Sequence, residues 1–390
     1  MSAVTVDFGL DLLPSEELHA VLADLREAHR VAPVRFFGTE AVLVTRFDDV
    51  KEAFRDDEHL PGGATYQMHT EPVIGRTFIS MDGTEHDRHR QLATPAFRSR
   101  AVAQFDEEAL VPLAHEIVDR FVARGEADLV AEFTTVLPFY AITRKLGVPR
   151  GTDDEMRTWA DRMLTYPSDP EGAVGAARAF SDVLEPLLDA RRAAPEEDLL
   201  SALLAAEVDG EALDREEVCS TVRLMFSVGA TTTSHALGNM LSALLDRPEL
   251  LERARADEPL RAGIVHELLR WDGPLATLPR LAPLGAQFGD ETFPPGTLLL
   301  FGIASANRDP SVWDDPARFD PTRDPQEIVT FGFGQKFCPG SHLARRQLLT
   351  ALGVLLDRLP GLRLADPHGA TPVGGVLRHP TALHVVWDLK

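Results

Sequence analysis

Apolar side chains recur at spacings of three and four in several stretches and alternate in short runs in others, so helix and strand signals follow one another along the chain. Ser15 to Ala28 carries a helical pattern, and a second helix follows from Phe47 to Phe54. Between them, Val34-Arg35-Phe36-Phe37 and Ala41-Val42-Leu43-Val44 flank Gly38-Thr39-Glu40 as a hairpin. Leu60 to Ser80 holds Pro61, Gly62, Gly63, Pro72 and Gly75 among scattered apolar residues, so it cannot carry a long helix. Asp153 to Arg192 is helical, with Pro167 and Pro170 as interruptions. Arg215 to Leu245 is apolar on nearly every face, which implies a long helix buried through the middle of the fold. Leu278-Pro279-Arg280 begins a strand, and Phe293 to Ile303 reads as a hairpin. Ala344, Leu348, Ala351, Leu352 and Leu355 define a buried helix beginning just past Gly340. No linker, repeat or low-complexity tract divides the chain, so one domain over 1–390 is expected.

Composition narrows the function. With 44% hydrophobic residues the chain can bury a sizeable core, and a formal net charge of -22 argues against nucleic acid or an anionic membrane surface as partner. Two cysteines in 390 residues fit a reducing cytoplasm. The first residues show neither a charged and apolar leader pattern nor a long apolar run, so no membrane anchor is expected.

Candidate chemistry centres on Phe331-Gly332-Phe333-Gly334-Gln335-Lys336-Phe337-Cys338-Pro339-Gly340. Three glycines within nine residues, flanked by aromatics, describe a backbone that turns tightly and approaches something closely. Cys338 then lies at a helix N-terminus, where the macrodipole favours the thiolate that ligates a metal. A lone cysteine is otherwise a small hydrophobe. There is no C-x-x-C pair, and the other cysteine, Cys219, falls within the long helix, so zinc and disulfide chemistry lack partners. In that helix, Thr231, Thr232 and Thr233 are poor helix formers whose hydroxyls can bond the carbonyl a turn back and open a groove, or form a tolerated polar kink. His86 and Arg90, four apart, share a helix face. Glu267 and Arg270, three apart amid Ile264, Val265, Leu268 and Leu269, would need full hydrogen bonding if buried.

The spacing Phe331-x-x-Gly334-x-x-x-Cys338-x-Gly340, followed by Leu343-Ala344-Arg345, resembles the haem-binding loop of the cytochrome P-450 family, whose cysteine thiolate is the proximal ligand of the haem iron. The resemblance extends over nearly the whole chain and implies the triangular haem-thiolate fold, mainly α with a small β region. Met81 to Arg90 looks like the family's D-x-P-E-H-x-x-x-R segment, with Thr84 where proline is usual. It implies that His86 and Arg90, with Arg280, Lys336, Phe331, Gly332, Cys338 and Gly340, hold heme b, and that Cys338 is the iron ligand. Gly229-Ala230-Thr231-Thr232 resembles the oxygen-binding motif, with Thr231 standing where an acid is usual; Gly229, Thr231 and Thr232 are the implied catalytic positions. His235, one turn on, is an alternative proton source. Glu267, Arg270 and Arg323 match the family's structural triad, and Met68, Val73, Met225, Val228, Leu275, Leu278 and Leu377 are the implied substrate pocket. The segment 153–192 would be the lid.

The implied function is insertion of one oxygen atom from O2 into a mainly apolar small organic substrate, as in a soluble, cytoplasmic bacterial P-450. Electrons would come from NAD(P)H through a separate ferredoxin and ferredoxin reductase, since no flavin or iron-sulfur module is present, and Arg98, Arg100, Arg345 and Arg346 are the candidate docking cations. A peroxygenase or oxidative-coupling enzyme is the alternative that Thr231 favours. A haem sensor and a cysteine hydrolase are the more distant readings.

Overall fold

The helix Arg215–Leu245 runs unbroken for 31 residues in the computed structural model, which describes residues 6–151, 153–208 and 210–389. Its start is set by a capping box. The Asp214 carboxylate accepts from the Glu217 N–H at 2.8 Å, and the Glu217 side chain accepts from the Asp214 N–H at 2.8 Å. Helices Val136–Leu146, Asp153–Arg162, Pro170–Ala193, Glu258–Trp271 and Ser341–Arg358 pack around it, which is why its hydrophobicity is not confined to one stripe. Gly229 is needed for that packing: a Cβ there would lie 2.8 Å from Ile142 Cγ1 of Val136–Leu146.

The expected break in 153–192 falls between Arg162 and Pro170. Pro170 starts the second helix rather than interrupting it, because a helix's first residue needs no N–H partner. The Asp169 carboxylate caps that helix by accepting from the Gly172 N–H at 3.0 Å. Between Leu60 and Ser80 the chain forms only the short helices Gly62–His69 and Glu71–Ile74.

The main sheet orders its strands Val31–Phe36, Thr39–Val44, Thr297–Phe301 and Leu278–Ala282. The first hairpin turns on two residues, Phe37 and Gly38, at φ 46 and 76, so Thr39 and Glu40 belong to the strand and not to the turn. A bulky residue seldom adopts positive φ; here the Asp7 carboxylate holds it, accepting from the Phe37 N–H at 2.9 Å and the Gly38 N–H at 2.7 Å. The hairpin expected over 293–303 is also replaced. Glu291–Phe293 pairs back with Ala286–Phe288, while Thr297–Phe301 joins Thr39–Val44 in parallel and Leu278–Ala282 in antiparallel, with Arg280 opposite Leu299. Hydrophobic alternation marks strands but cannot tell adjacent from distant partners.

A buried polar knot ties the ends of the chain together. Asp272 accepts from Ser15 Oγ at 2.7 Å and from Arg378 Nε at 3.0 Å, and this fixes the segment that carries Leu377 and His379. Among the described residues no helix is long and apolar enough to cross a membrane.

Candidate active site

The cysteine loop begins at the short turn Val329–Phe331 and ends at the helix Ser341–Arg358. Gly332 and Gly334 sit at φ 70 and 68, and a Cβ on Gly334 would lie 2.9 Å from the Phe54 carbonyl oxygen, so both the turn and the close approach call for glycine there. The Cys338 N–H donates to the Phe331 carbonyl at 2.9 Å and closes the loop. Sγ receives the N–H groups of Gly340 and Ser341 and feels the guanidinium charges of Arg90 and Arg345. Burial nonetheless dominates and pushes the Cys338 thiol up, so helix-end stabilisation alone does not make it a thiolate. A cation at the sulfur would.

Near this loop lies a cluster of cations with too few anions. Lys336 Nζ donates to the Phe78 carbonyl at 2.9 Å and to the Met81 carbonyl, and lies 3.6 Å from Asp82 Oδ1; burial draws its ammonium down to about 8. Arg280 is 2% exposed, and its Nε and Nη1 find no hydrogen-bond partner among the described residues. Burial lowers its guanidinium pKa as well. A Cβ on Gly62 would lie 2.7 Å from Lys336 Cε and 3.0 Å from Arg280 Nη1, so the two side chains converge over bare backbone. His86 is fully buried on the helix Gly83–Ala93; its Nδ1 lies 3.0 Å from Asp87 Oδ1 while Nε2 is unpartnered. Arg90 on that helix donates to the Phe337 carbonyl at 2.5 Å. A buried guanidinium and imidazole with orphaned nitrogens beside a lysine are a costly arrangement unless a group bearing carboxylates settles among them. The chemistry of these donors therefore fits haem, with its two propionates, beside a cysteine sulfur. Arg280 has more to gain from such a group than Lys336, whose ammonium already holds two carbonyls.

On the long helix, Val228, Gly229, Thr232 and His235 are the only residues between Val218 and Leu245 that are not fully buried. Positions 228, 232 and 235 fall on one face, so protein leaves that face of the helix partly uncovered. Thr232 Oγ donates to the Val228 carbonyl at 2.9 Å, as expected of a threonine in a buried helix. Thr231 does not: its hydroxyl donates to Asp161 Oδ1 at 2.7 Å, on the helix Asp153–Arg162. His235 stacks on His379 with ring centroids 4.1 Å apart. Burial, then the neighbouring His379, pushes the His235 imidazole down to about 3, so it is unprotonated at neutral pH and is no acid there.

This makes a testable contribution to stability. An imidazole held neutral to about 3 in the native state takes up its proton near ~6.5 once unfolded. Its contribution is complete above ~6.5 and is lost as pH falls toward 3. The thermal midpoint should fall on acidification through this window, less steeply in His235→Asn. His19, which burial pushes down to about 4, acts in the same direction, so the slope is reduced and not abolished. Equal slopes in wild type and variant would assign the effect elsewhere.

The implied pocket residues divide. Val228 is 36% exposed and Met68 54%, while Leu275, Leu278 and Leu377 are half-buried, with Leu275 and Leu377 bridged backbone to backbone. Val73 and Met225 are packed in the main core. Glu267, Arg270 and Arg323 do come together: Arg270 Nε and Nη2 reach Glu267 Oε2 and Oε1 at 2.8 and 2.7 Å, and Arg323 Nε lies 3.3 Å from Oε1. Arg345 turns inward over the Phe331 ring at 4.5 Å, and Arg346 pairs with Asp106 at 3.5 Å, so Arg98 and Arg100 are the exposed members of the expected basic patch. Asp161 was not expected. It sits in an acidic stretch that reads as a solvated helix face, and no local spacing sets it apart.

Comparison with known proteins agrees with this geometry. Residues 173–361 match the family model described as Cytochrome P450. Cytochrome P450 107B1 of Saccharopolyspora erythraea is 34% identical over 371 residues, 90% of this chain and 90% of that protein. Mycinamicin IV hydroxylase/epoxidase of Micromonospora griseorubida is 35% identical over 375 residues, 93% of this chain and 94% of the relative. The solved structure of cytochrome P450 CYP109Q5 from Chondromyces apiculatus superimposes with a TM-score of 0.87 at 31% identity, covering 96% of this chain and 97% of that one. With relatives at 34 and 35% identity over at least nine-tenths of both chains, the chain belongs to the cytochrome P450 family, as a monooxygenase of its bacterial kind.

Proposed function

We propose that this chain, acting as a single domain over 1–390 in the cytoplasm, inserts one oxygen atom from O2 into a mainly apolar small organic substrate. Heme b is the group we assign to the site, with NAD(P)H electrons arriving through a ferredoxin and its reductase. The observation that carries the reading is Cys338, its sulfur facing two backbone N–H donors beside the unpartnered nitrogens of Arg280 and His86. When bound, the haem supplies the binding and reduction of O2 and the transfer of its oxygen.

The chain's own residues do the rest. Arg280 and His86 bind the propionates and, with Arg90 and Lys336 nearby, offset their charge. Val228, Leu275 and Leu278 offer apolar walls that exclude water. The Thr232 hydroxyl lies on the open helix face and holds a proton on Oγ that it can turn from the Val228 carbonyl toward a bound ligand. Arg98 and Arg100, exposed at the start of the helix Ser99–Phe105, are the cations we assign to an acidic electron donor.

Turnover under isotopically labelled O2 is the test. One labelled atom should enter the product, and Thr232→Ala should bind substrate as wild type does while losing a larger share of its electrons as peroxide. Product formed from added peroxide but not from O2 would replace this reading with the peroxygenase one.

A further inference from the structure

Asp161 is exposed, yet the protein around it raises its carboxyl above the usual range, so solvent reaches it at a place where several elements converge. Three elements meet there: its own helix, the buried long helix through Thr231, and the C-terminal segment through His379. The Thr231 hydroxyl satisfies Oδ1 at 2.7 Å, and no hydrogen bond to Oδ2 is found among the described residues. Arg157, one turn earlier, is committed to Asp154 and makes no ion pair with Asp161. Of the other polar groups on this wall, His235 is neutral at physiological pH, and Thr231 is a hydroxyl already engaged. Asp161 thus forms no ion pair among the described residues, and the His379 and Arg157 side chains act on it only through space. Although solvent reaches it, the surrounding protein disfavours its charged form, and a positive charge brought by a ligand would offset that.

We propose that Asp161 recognises a cationic group, a protonated or quaternary amine, on the substrate. The inference rests on the monooxygenase reading of the cavity and adds to it the chemical class of the substrate: an organic molecule apolar over most of its length and cationic at the end lying under the helix Asp153–Arg162. Burial, which raises the Asp161 carboxyl above its usual range, is relieved when the ligand brings the missing charge. Thr231, by donating to Oδ1, aims Oδ2 into the cavity, which gives the residue at the usual acid position a part in recognition.

The probes are arylalkyl trimethylammonium ions of graded chain length, each paired with the neutral tert-butyl compound of the same shape. A quaternary nitrogen has no lone pair for iron, so the readout is equilibrium dialysis against the holoenzyme, independent of turnover. For at least one chain length the cation should bind tighter than its neutral partner by on the order of tenfold or more, the lower range for a close charge pair. The preference should collapse in Asp161→Asn, persist in Asp161→Glu, and leave neutral-ligand affinity and the reduced CO spectrum unchanged in both. The net charge of -22 attracts cations to the whole surface, which is why loss through this single substitution is the criterion. A preference that survives Asp161→Asn, or no preference in wild type at any length, overturns the proposal. If the neutral compounds also fail to bind, the apolar pocket itself is refuted and the proposal falls with it; neutral binding without a cation preference refutes Asp161 recognition alone.

Discussion

A Cys338→Ser variant is expected to fold and to lose the red-shifted Soret band of the reduced CO complex that marks thiolate coordination. Serine keeps nearly the volume of cysteine, and the loop's closing bond uses the backbone N–H of residue 338, donated to the Phe331 carbonyl at 2.9 Å, so the turn has no reason to open. What is lost is the soft, readily ionised donor: an alcohol does not give up its proton under the conditions in which a metal takes one from a thiol. Cys219 cannot take over. It is buried in the long helix, with burial and then the Glu185 carboxylate pushing its thiol up to about 11. Cys219→Ser is therefore the control that keeps the band. Retention of the band in Cys338→Ser would remove the thiolate assignment.

The elements most legible in the sequence were those whose cause is local. Ser15–Ala28 and Arg215–Leu245 match their expected limits because periodicity, the Asp214 capping box and an all-round apolar surface act within the segment. The cysteine loop was legible because its glycines answer a nearby constraint, the Phe54 backbone, and because few spacings put an aromatic, glycines and one cysteine in that order. Strand pairing was not. Whether Thr297–Phe301 meets Phe293 or Thr39–Val44 depends on contacts more than 200 residues apart in the latter case, which a period of two cannot report. Asp161 was illegible for a related reason. A carboxylate seventy residues from its threonine partner looks, in the sequence, like any exposed acid, and only the approach of two helices gives it a cavity to face.

Glu267→Ala should cost about 3–5 kcal/mol, the range for breaking a buried ion pair by removing one partner. The Arg270 side chain is fully buried, and without Glu267 it becomes an uncompensated interior charge. The loss is larger than that of one ion pair in isolation, since Glu267 Oε1 also accepts the Asp320 N–H at 2.8 Å and lies 3.3 Å from Arg323 Nε. Against a typical stability of about 5–15 kcal/mol, a change of this size removes a large fraction of the total. At ~2.1 cal/mol/K of unfolding entropy per residue over 390 residues, it should appear as a fall in thermal midpoint of about 4–6 °C. Replacing both partners with apolar residues, Glu267→Leu with Arg270→Met, removes the stranded charge and should recover part of the loss, as it does for ion pairs whose only partners are each other. Recovery should stay incomplete here, because Arg270 also serves three carbonyl oxygens, those of Asn307, Pro316 and Arg318, at 3.0, 2.9 and 3.1 Å. These acceptors lie on the segment that runs into the cysteine loop, which Asn307 clamps directly by accepting the Val329 N–H at 2.9 Å. The double variant should therefore regain thermal stability ahead of haem retention, measured as transfer of haem to a scavenging apoprotein. Full recovery of both together would mean that the triad contributes charge balance alone and does not hold the loop in place.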